Sequence, residues 1–288
     1  MNIQKINQSA HAYPDKLKQL NSPPSPLYAV GNLDLLRDDT RPWVAIVGTR
    51  YPTLYGDEVT KMFAAELAAS GAIIVSGLAL GVDALAHQAV VDQGLPVVAV
   101  QARGLDEIYP KENHALAKKI LQNNGLIVSE YKPGVGAYRQ NFIARNRIVS
   151  ALSDGVLVTE ANEQSGTTHT IRFALELGKT IMAVPGNINS KRSAGTNNMI
   201  RTGSIPVTST VDAINALGYK SKLHLKPVKA DSREEQILID LLKEGVNQSG
   251  ELIARSSLTA GQFANLISLM EIGGKVTSQG AGIWTLRY

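Results

Sequence analysis

From residue 43 onward the chain alternates between two kinds of apolar pattern. Short β-branched runs, "WVAIVGTR", "AIIVSG", "PVVAVQA", "LIVSE", "DGVLVTE" and "TIMAVPG", hold almost no polar position. Between most of them lie longer stretches of helical spacing closed by glycine: "TKMFAAELAASG", "VDALAHQAVVDQG", "NHALAKKILQNNG" and "TTHTIRFALELG". This rhythm predicts sequential strand and helix units of a parallel sheet. Strands that are apolar at nearly every position are those covered by helices on both faces. The pattern therefore predicts a doubly wound α/β domain over residues 42 to 218. Before it, residues 1 to 41 hold the proline cluster "NSPPSPLYAVGN", which cannot be helix interior and is expected to lie on the domain as an arm. After it, residues 219 to 232, "YKSKLHLKPVKADS", are basic and poorly periodic and are expected to be a linker. Residues 233 to 288 read as three helices and a closing hairpin turned near Gly280 to Gly282, the outline of a winged helix.

In such sheets ligands bind beyond the carboxyl ends of the strands, so the informative residues are those just after each apolar run. The first such loop, "VGTRYPTLYG", offers Gly48, Thr49 and Arg50. It has one glycine where a dinucleotide fingerprint needs three, so the NAD motif is absent, but a strand-turn-helix junction presents amides and a positive dipole end to an anion. The second offers Ser76 and Gly77, followed by Asp83 and His87 four residues apart on one helix. That pair can touch, but no third group completes a nucleophilic set, and helix packing is its ordinary use. A third, "QSGTTHT", places Ser165, Gly166 and Thr167 before a helix as a phosphate cradle, or simply as a cap. "VPGNINSKRSAGTNNMIRTGS" adds Lys191, Arg192 and Arg201 at the same edge.

The stretch "YRQNFIARNR" is the most informative. A helix starting near Asn141 sets Phe142 beside Arg145 and Asn146, at spacings of three and four, while Arg147 points elsewhere. One of these two arginines is expected to face a bound anion with Phe142. The other is expected to turn inward to a strand-end acid such as Glu130 or Glu160, and the spacing leaves open which does which. Arg139 and Tyr138 lie just upstream. Cations interleaved with aromatics suit single-stranded nucleic acid, because charge follows the backbone and rings stack on bases. The plainer alternative makes Phe142 core and leaves the charges solvated.

Composition narrows the choice. The formal charge of +4 leans toward polyanionic partners. The absence of cysteine excludes disulfides, thiol nucleophiles and cysteine metal sites, and the five histidines lack ligand spacing. No metal and no cofactor is expected. No run is long and apolar enough to span a bilayer, and the N-terminus has no secretory hydrophobic region, so no membrane partner and a cytoplasmic location are expected.

At these residues the chain resembles the DNA-processing protein A (DprA/Smf) family. The resemblance is carried by "PPSPLYAVG", "GTRYPTLYG", "SGLALGVDALAH", "GLDEIYPKEN", "VSEYKPG", "FIARNRIVSALSD", "VTEANEQSGT" and "VPGN…GTNNMI", in one order along nearly the whole chain. It implies an extended Rossmann-like domain that binds single-stranded DNA without catalysis, protects incoming DNA in natural transformation, forms a homodimer and helps load the RecA recombinase. Carried over by motif, DNA contacts fall on Arg50, on Arg139 and Phe142, on Arg145, Asn146 and Arg147, and on Ser165, Gly166 and Thr167; the strand-end reading adds Gly48, Thr49, Ser76 and Gly77 to the expected contacts. Two positions depart from the family pattern: Ile143 stands for the usual proline, and Thr167 for the usual second serine of "SGS". Neither removes a charge or a ring. The C-terminal part resembles the family's winged-helix domain. Its would-be recognition helix, "AGQFANLISLM", carries no lysine or arginine, which argues against base reading in a major groove and for a partner-binding or accessory role. The competing readings are a nucleotide-binding module and a nucleoside-monophosphate phosphoribohydrolase of the same superfold. The latter needs an acid in its glycine-rich loop, where this chain has His169 and Thr170.

Overall fold

The computed structural model describes residues 2–163, 165–219 and 230–286. The chain forms two compact units, Met1–Ser221 and Lys222–Tyr288. Of the stretch expected as a linker, residues 220–229 lie outside the described residues, and Ser232 already caps a helix, its hydroxyl accepting from the Glu235 amide.

The first unit runs β1 (Gln4–Ile6), α1 (Asp15–Lys18), β2 (Leu27–Gly31), β3 (Trp43–Val47), α2 (Leu54–Ala69), β4 (Ile73–Ser76), α3 (Val82–Val91), β5 (Val97–Gln101), α4 (His114–Gln122), β6 (Leu126–Ser129), α5 (Arg139–Leu152), β7 (Gly155–Val158), α6 (Thr167–Glu176), β8 (Thr180–Ala183), α7 (Ala194–Arg201), β9 (Ile205–Pro206) and α8 (Thr210–Ala216). The sheet order is β1-β2-β6-β5-β4-β3-β7-β8-β9. From β3 the chain steps outward to β6, crosses back to β7 beside β3, and then steps the other way. Strands β3 to β9 pair in parallel. The switch in direction between β3 and β7 opens the crevice where such sheets take ligands.

Both strand faces are buried, as the uninterrupted apolar runs require. Ala45, Val47, Ile73, Val75, Val98, Val100, Val156 and Val158 join one cluster with Ile148, Val149 and Leu152 of α5 and Ile171 of α6. The alternate positions, Val44, Ile46, Ile74, Val97, Ala99, Ile127 and Leu157, are fully buried as well. Right-handed crossovers place α2, α3 and α4 over that second face.

The N-terminal segment departs from expectation. It supplies two strands to the sheet, β2 pairing antiparallel with β6 and β1 with β2, so it is part of the sheet and not an arm lying on it. The prolines end just before β2, and the short run "LYAVG" that follows is one edge addition with no helix to frame it. Proline is excluded from the body of an inner strand but tolerated on an edge strand or just outside one.

The second unit comprises α9 (Arg233–Lys243), α10 (Ser249–Ser256) and α11 (Ala260–Ile272), followed by the antiparallel pair β10 (Val276–Gly280) and β11 (Ile283–Leu286). Leu238, Ile239, Leu252, Phe263, Ile267 and Met270 form its core. Thr259 and Gln262 close a capping box at the start of α11. The outer face of α11 leaves Leu269 and Ile272 exposed.

Candidate nucleic-acid interface

The loops after β3, β4 and β7 and the first two turns of α5 enclose a cleft of about 730 Å³. Ten of the residues singled out by sequence line it: Gly48, Thr49, Arg50, Arg139, Phe142, Arg145, Asn146, Ser165, Gly166 and Thr167. Asn162, His169 and Thr170, on the β7–α6 loop and the first turn of α6, line it too. The sequence offered no signal for Asn162, a polar residue in a polar loop.

The β3–α2 loop is fixed by backbone bonds on two sides. Thr49 N–H donates to the Glu160 carbonyl at 2.8 Å, and the Thr49 carbonyl accepts from Val82 N–H at 3.1 Å. Gly48 is needed for this closeness, since a Cβ there would stand 2.6 Å from the Glu160 carbonyl oxygen. The Glu160 side chain points to α2, where its carboxylate accepts from Thr53 N–H at 2.8 Å and from the Thr53 hydroxyl at 2.7 Å. A buried negative charge at a helix N-terminus is favourable, so Glu160 is a cap of α2 and not the partner of an α5 arginine. Arg192, from the β8–α7 loop, braces the same loop by donating to the Tyr51 carbonyl at 2.6 Å.

Two cations stand at the mouth of the cleft. Arg50 and Arg139 are both exposed, and neither has a carboxylate partner among the described residues. Arg50 lies over the Phe142 ring, its guanidinium carbon 5.6 Å from the centroid, a distance at which cation and ring attract.

Arg145 behaves differently. It is 4% exposed, and its Nη1 donates to the carbonyls of Gly77 and Val100. Its Nε donates to Asn146 Oδ1 at 3.3 Å. The buried Asp83 carboxylate nearby accepts from Gly77 N–H at 3.0 Å. Burial pushes Asp83 above the usual carboxylate range against the pull of Arg145, and burial draws Arg145 down against the support of Asp83. The guanidinium thus forms part of the cleft floor while its donors serve the residue after β4 and the end of β5.

Three expected contacts are corrected by this geometry. Arg147 turns away to Glu130 at 2.5 Å, so neither arginine of "RNR" offers a free cation to the cleft. Ser76 is fully buried and donates its hydroxyl to the Ile46 carbonyl at 2.6 Å. Gly77 is covered by Arg145, whose guanidinium lies 2.1 Å from where a Cβ would be, which is why this position has no side chain. For Ser76 and Arg147 the reason is burial, since a polar group taken out of water must find a protein partner.

Asp83 and His87 form no hydrogen bond with each other. The His87 ring is buried, Nε2 meets the Val98 carbonyl at 3.3 Å and Nδ1 has no partner among the described residues, while burial holds the imidazole pKa down at about 4. At the start of α6 the amides are locally engaged. Thr167 N–H donates to the Ser165 hydroxyl at 3.2 Å, and Thr168 N–H to the Ser165 carbonyl at 3.1 Å. In the free protein this loop therefore offers its dipole end more than open donors.

Among the described residues no helix is long and apolar enough to cross a membrane. The family described as DNA recombination-mediator protein A matches residues 4–218. DNA processing protein DprA of Bacillus subtilis is 35% identical over 225 residues, 78% of this chain and 75% of that protein. Protein Smf of a Synechocystis species is 40% identical over 207 residues, 72% of this chain and 52% of that one. Among solved structures, DprA from Streptococcus pneumoniae is 36% identical with a TM-score of 0.69, covering 75% of this chain and 74% of its own. A Helicobacter pylori DNA processing protein A, described for its single-stranded DNA binding mode, is 37% identical with a TM-score of 0.69, covering 76% and 98%. With its parallel sheet, its cleft at the strand switch and three quarters of its length matched, the chain belongs to the DNA recombination-mediator protein A family.

Proposed function

We propose that this protein is a non-catalytic single-stranded DNA-binding protein that holds its strand in the cleft at the β3–β7 switch. The observation that carries the reading is the pair of exposed arginines, Arg50 and Arg139, without carboxylate partners among the described residues and flanking an aromatic ring. Guanidinium groups take phosphate oxygens bidentately, and rings supply stacking surface for bases. The single-stranded DNA binding named for the Helicobacter pylori relative supports the same reading. Family membership extends it to protection of incoming strands in transformation, loading of RecA recombinase, a homodimer and a cytoplasmic location. We further assign the second unit as a winged helix with an accessory, partner-contacting role, because α11 carries no cation with which to hold a duplex.

A nucleotide-processing enzyme on the same superfold is the second reading. Asp83 is the one carboxylate among the described cleft-lining residues. It is buried and already accepts from the Gly77 amide, a poor position for stabilising a developing oxocarbenium ion.

The test is a gel-shift titration with oligothymidylate across a salt series. Affinity falls as salt rises, AMP and NAD compete weakly, and Arg50→Ala or Arg139→Ala each costs roughly tenfold in affinity with an unchanged melting temperature. Normal binding by both variants, or preference for the free nucleotides, overturns the reading.

A further inference from the structure

The aromatic surface at the cleft continues past Phe142. The Tyr109 ring lies 5.4 Å from the Phe142 ring, centroid to centroid, at an interplanar angle of 55°. Phe142 is thus engaged by two neighbours, the Arg50 guanidinium and the Tyr109 ring. Tyr109 itself is 43% exposed.

An exposed ring on a connecting segment is normally free to wander, but this one is held. Gln101, buried at the end of β5, accepts from Tyr109 N–H at 3.3 Å and donates to the Tyr109 carbonyl at 3.0 Å. Four residues further on, the Asn113 side chain donates to the carbonyls of Leu78 at 2.9 Å and Ala79 at 3.2 Å. That second tie joins the Tyr109 segment to the β4–α3 loop, whose Ala79 lines the cleft. Two buried amide side chains are therefore committed to placing the backbone on either side of an exposed aromatic. Buried amides must be hydrogen-bonded somewhere, but nothing in core packing requires their partner to be the backbone that carries a solvent-facing ring. Pre-placement of such a ring lowers the ordering cost of a planar ligand that stacks on it.

We propose that Tyr109 is a second base-stacking platform beside Phe142, receiving the next nucleobase of the strand as it leaves the cleft, while Phe142 in addition seats Arg50 and backs the tyrosine. This rests on the single-stranded DNA reading above. It also divides the labour: Arg50 and Arg139 hold phosphates, and Tyr109 holds a base without touching the backbone charge.

The experiment measures binding of fluorescent oligothymidylate, and of an abasic oligonucleotide of the same length, to the full chain and to Tyr109→Ala, Tyr109→Phe and Arg50→Ala. Tyr109→Ala loses roughly fivefold or more on oligothymidylate, as expected for one lost stack, while Tyr109→Phe keeps its affinity. The salt dependence of Tyr109→Ala matches that of the unaltered protein, whereas Arg50→Ala lowers the salt slope by about one phosphate contact. On the abasic strand the unaltered protein and Tyr109→Ala bind equally. A Tyr109→Ala variant that binds oligothymidylate normally, or that loses equally on both strands, overturns the platform and leaves the DNA reading standing. Failure of the unaltered protein to bind oligothymidylate sinks both.

Discussion

Helix α5 treats its arginines in opposite ways at its start and along its body. In the first turn Arg139 is exposed and without a carboxylate among the described residues; in the body Arg145 and Arg147 are turned inward and engaged. The residue type is the same, and eight positions separate the extremes. The first turn projects past the strand ends, where water solvates a guanidinium at no cost. The body lies against the ends of β3, β4 and β5, where a guanidinium, which keeps its charge, must find carbonyls or a carboxylate. A cation is therefore a ligand contact or a structural clasp according to how far along the helix it sits.

The comparison is broken hardest at Arg145. Arg145→Ala removes both carbonyl contacts and leaves Asp83 buried without its cation, a loss of about 3 to 5 kcal/mol by analogy with severed buried ion pairs. Thermal unfolding is expected to fall sharply, and any loss of DNA binding to follow it. Next comes Arg147→Ala, which strands Glu130, whose carboxyl burial already pushes above its usual range. A carboxyl raised in the folded state is harmless below its unfolded value and costs stability as pH climbs through the folded one. The variant should therefore lose about 2 to 3 kcal/mol, with a larger deficit at pH 8 than at pH 5, and denaturant titrations at the two values test it.

His87, buried beneath this network, gives a third prediction of opposite sign. Its imidazole is held down at about 4 by burial, so as pH falls the unfolded chain takes up the proton first. Stability is lost progressively from near pH 6.5 toward pH 4, by about 2 kcal/mol between pH 7 and pH 5. Replacing His87 with glutamine should remove that part of the slope in a series of urea melts. The smallest stability effect belongs to the exposed end. Arg139→Ala should stay within about 0.5 kcal/mol of the unaltered protein while lowering the salt dependence of oligothymidylate binding, and a change in melting temperature without a change in binding would invert the comparison.

The same contrast explains how much of the site was legible in the chain. Helical spacing placed Phe142, Arg145 and Asn146 on one side, and all three line the cleft. Spacing could also set Arg147 apart, and Glu130 was one of the two acids on offer. It could not say that Arg145 is buried, because its acceptors, the carbonyls of Gly77 and Val100, arrive from two other strands. Ser76 was misplaced for a related reason: a serine at a strand end reads as a phosphate donor, and only the register of β4 beside β3 turns it onto Ile46. Tyr109 stood inside the family motif "GLDEIYPKEN" but with no role attached, since its significance lies in a ring 33 residues away and a glutamine clamp from β5.

What the amino-acid order determined by itself is the sequence of strands and helices from β3 to β8, and with it the edge of the sheet where ligands go. Continuous apolar runs and glycine stops are local properties, read within a dozen residues. What only the tertiary structure decided is which cations remain available there, that the N-terminal segment enters the sheet as β1 and β2, and that Tyr109 stands beside Phe142. Those depend on strand order and register, which bring together groups from distant parts of the chain, and no local pattern encodes whether a guanidinium at the strand edge will meet water or a carbonyl.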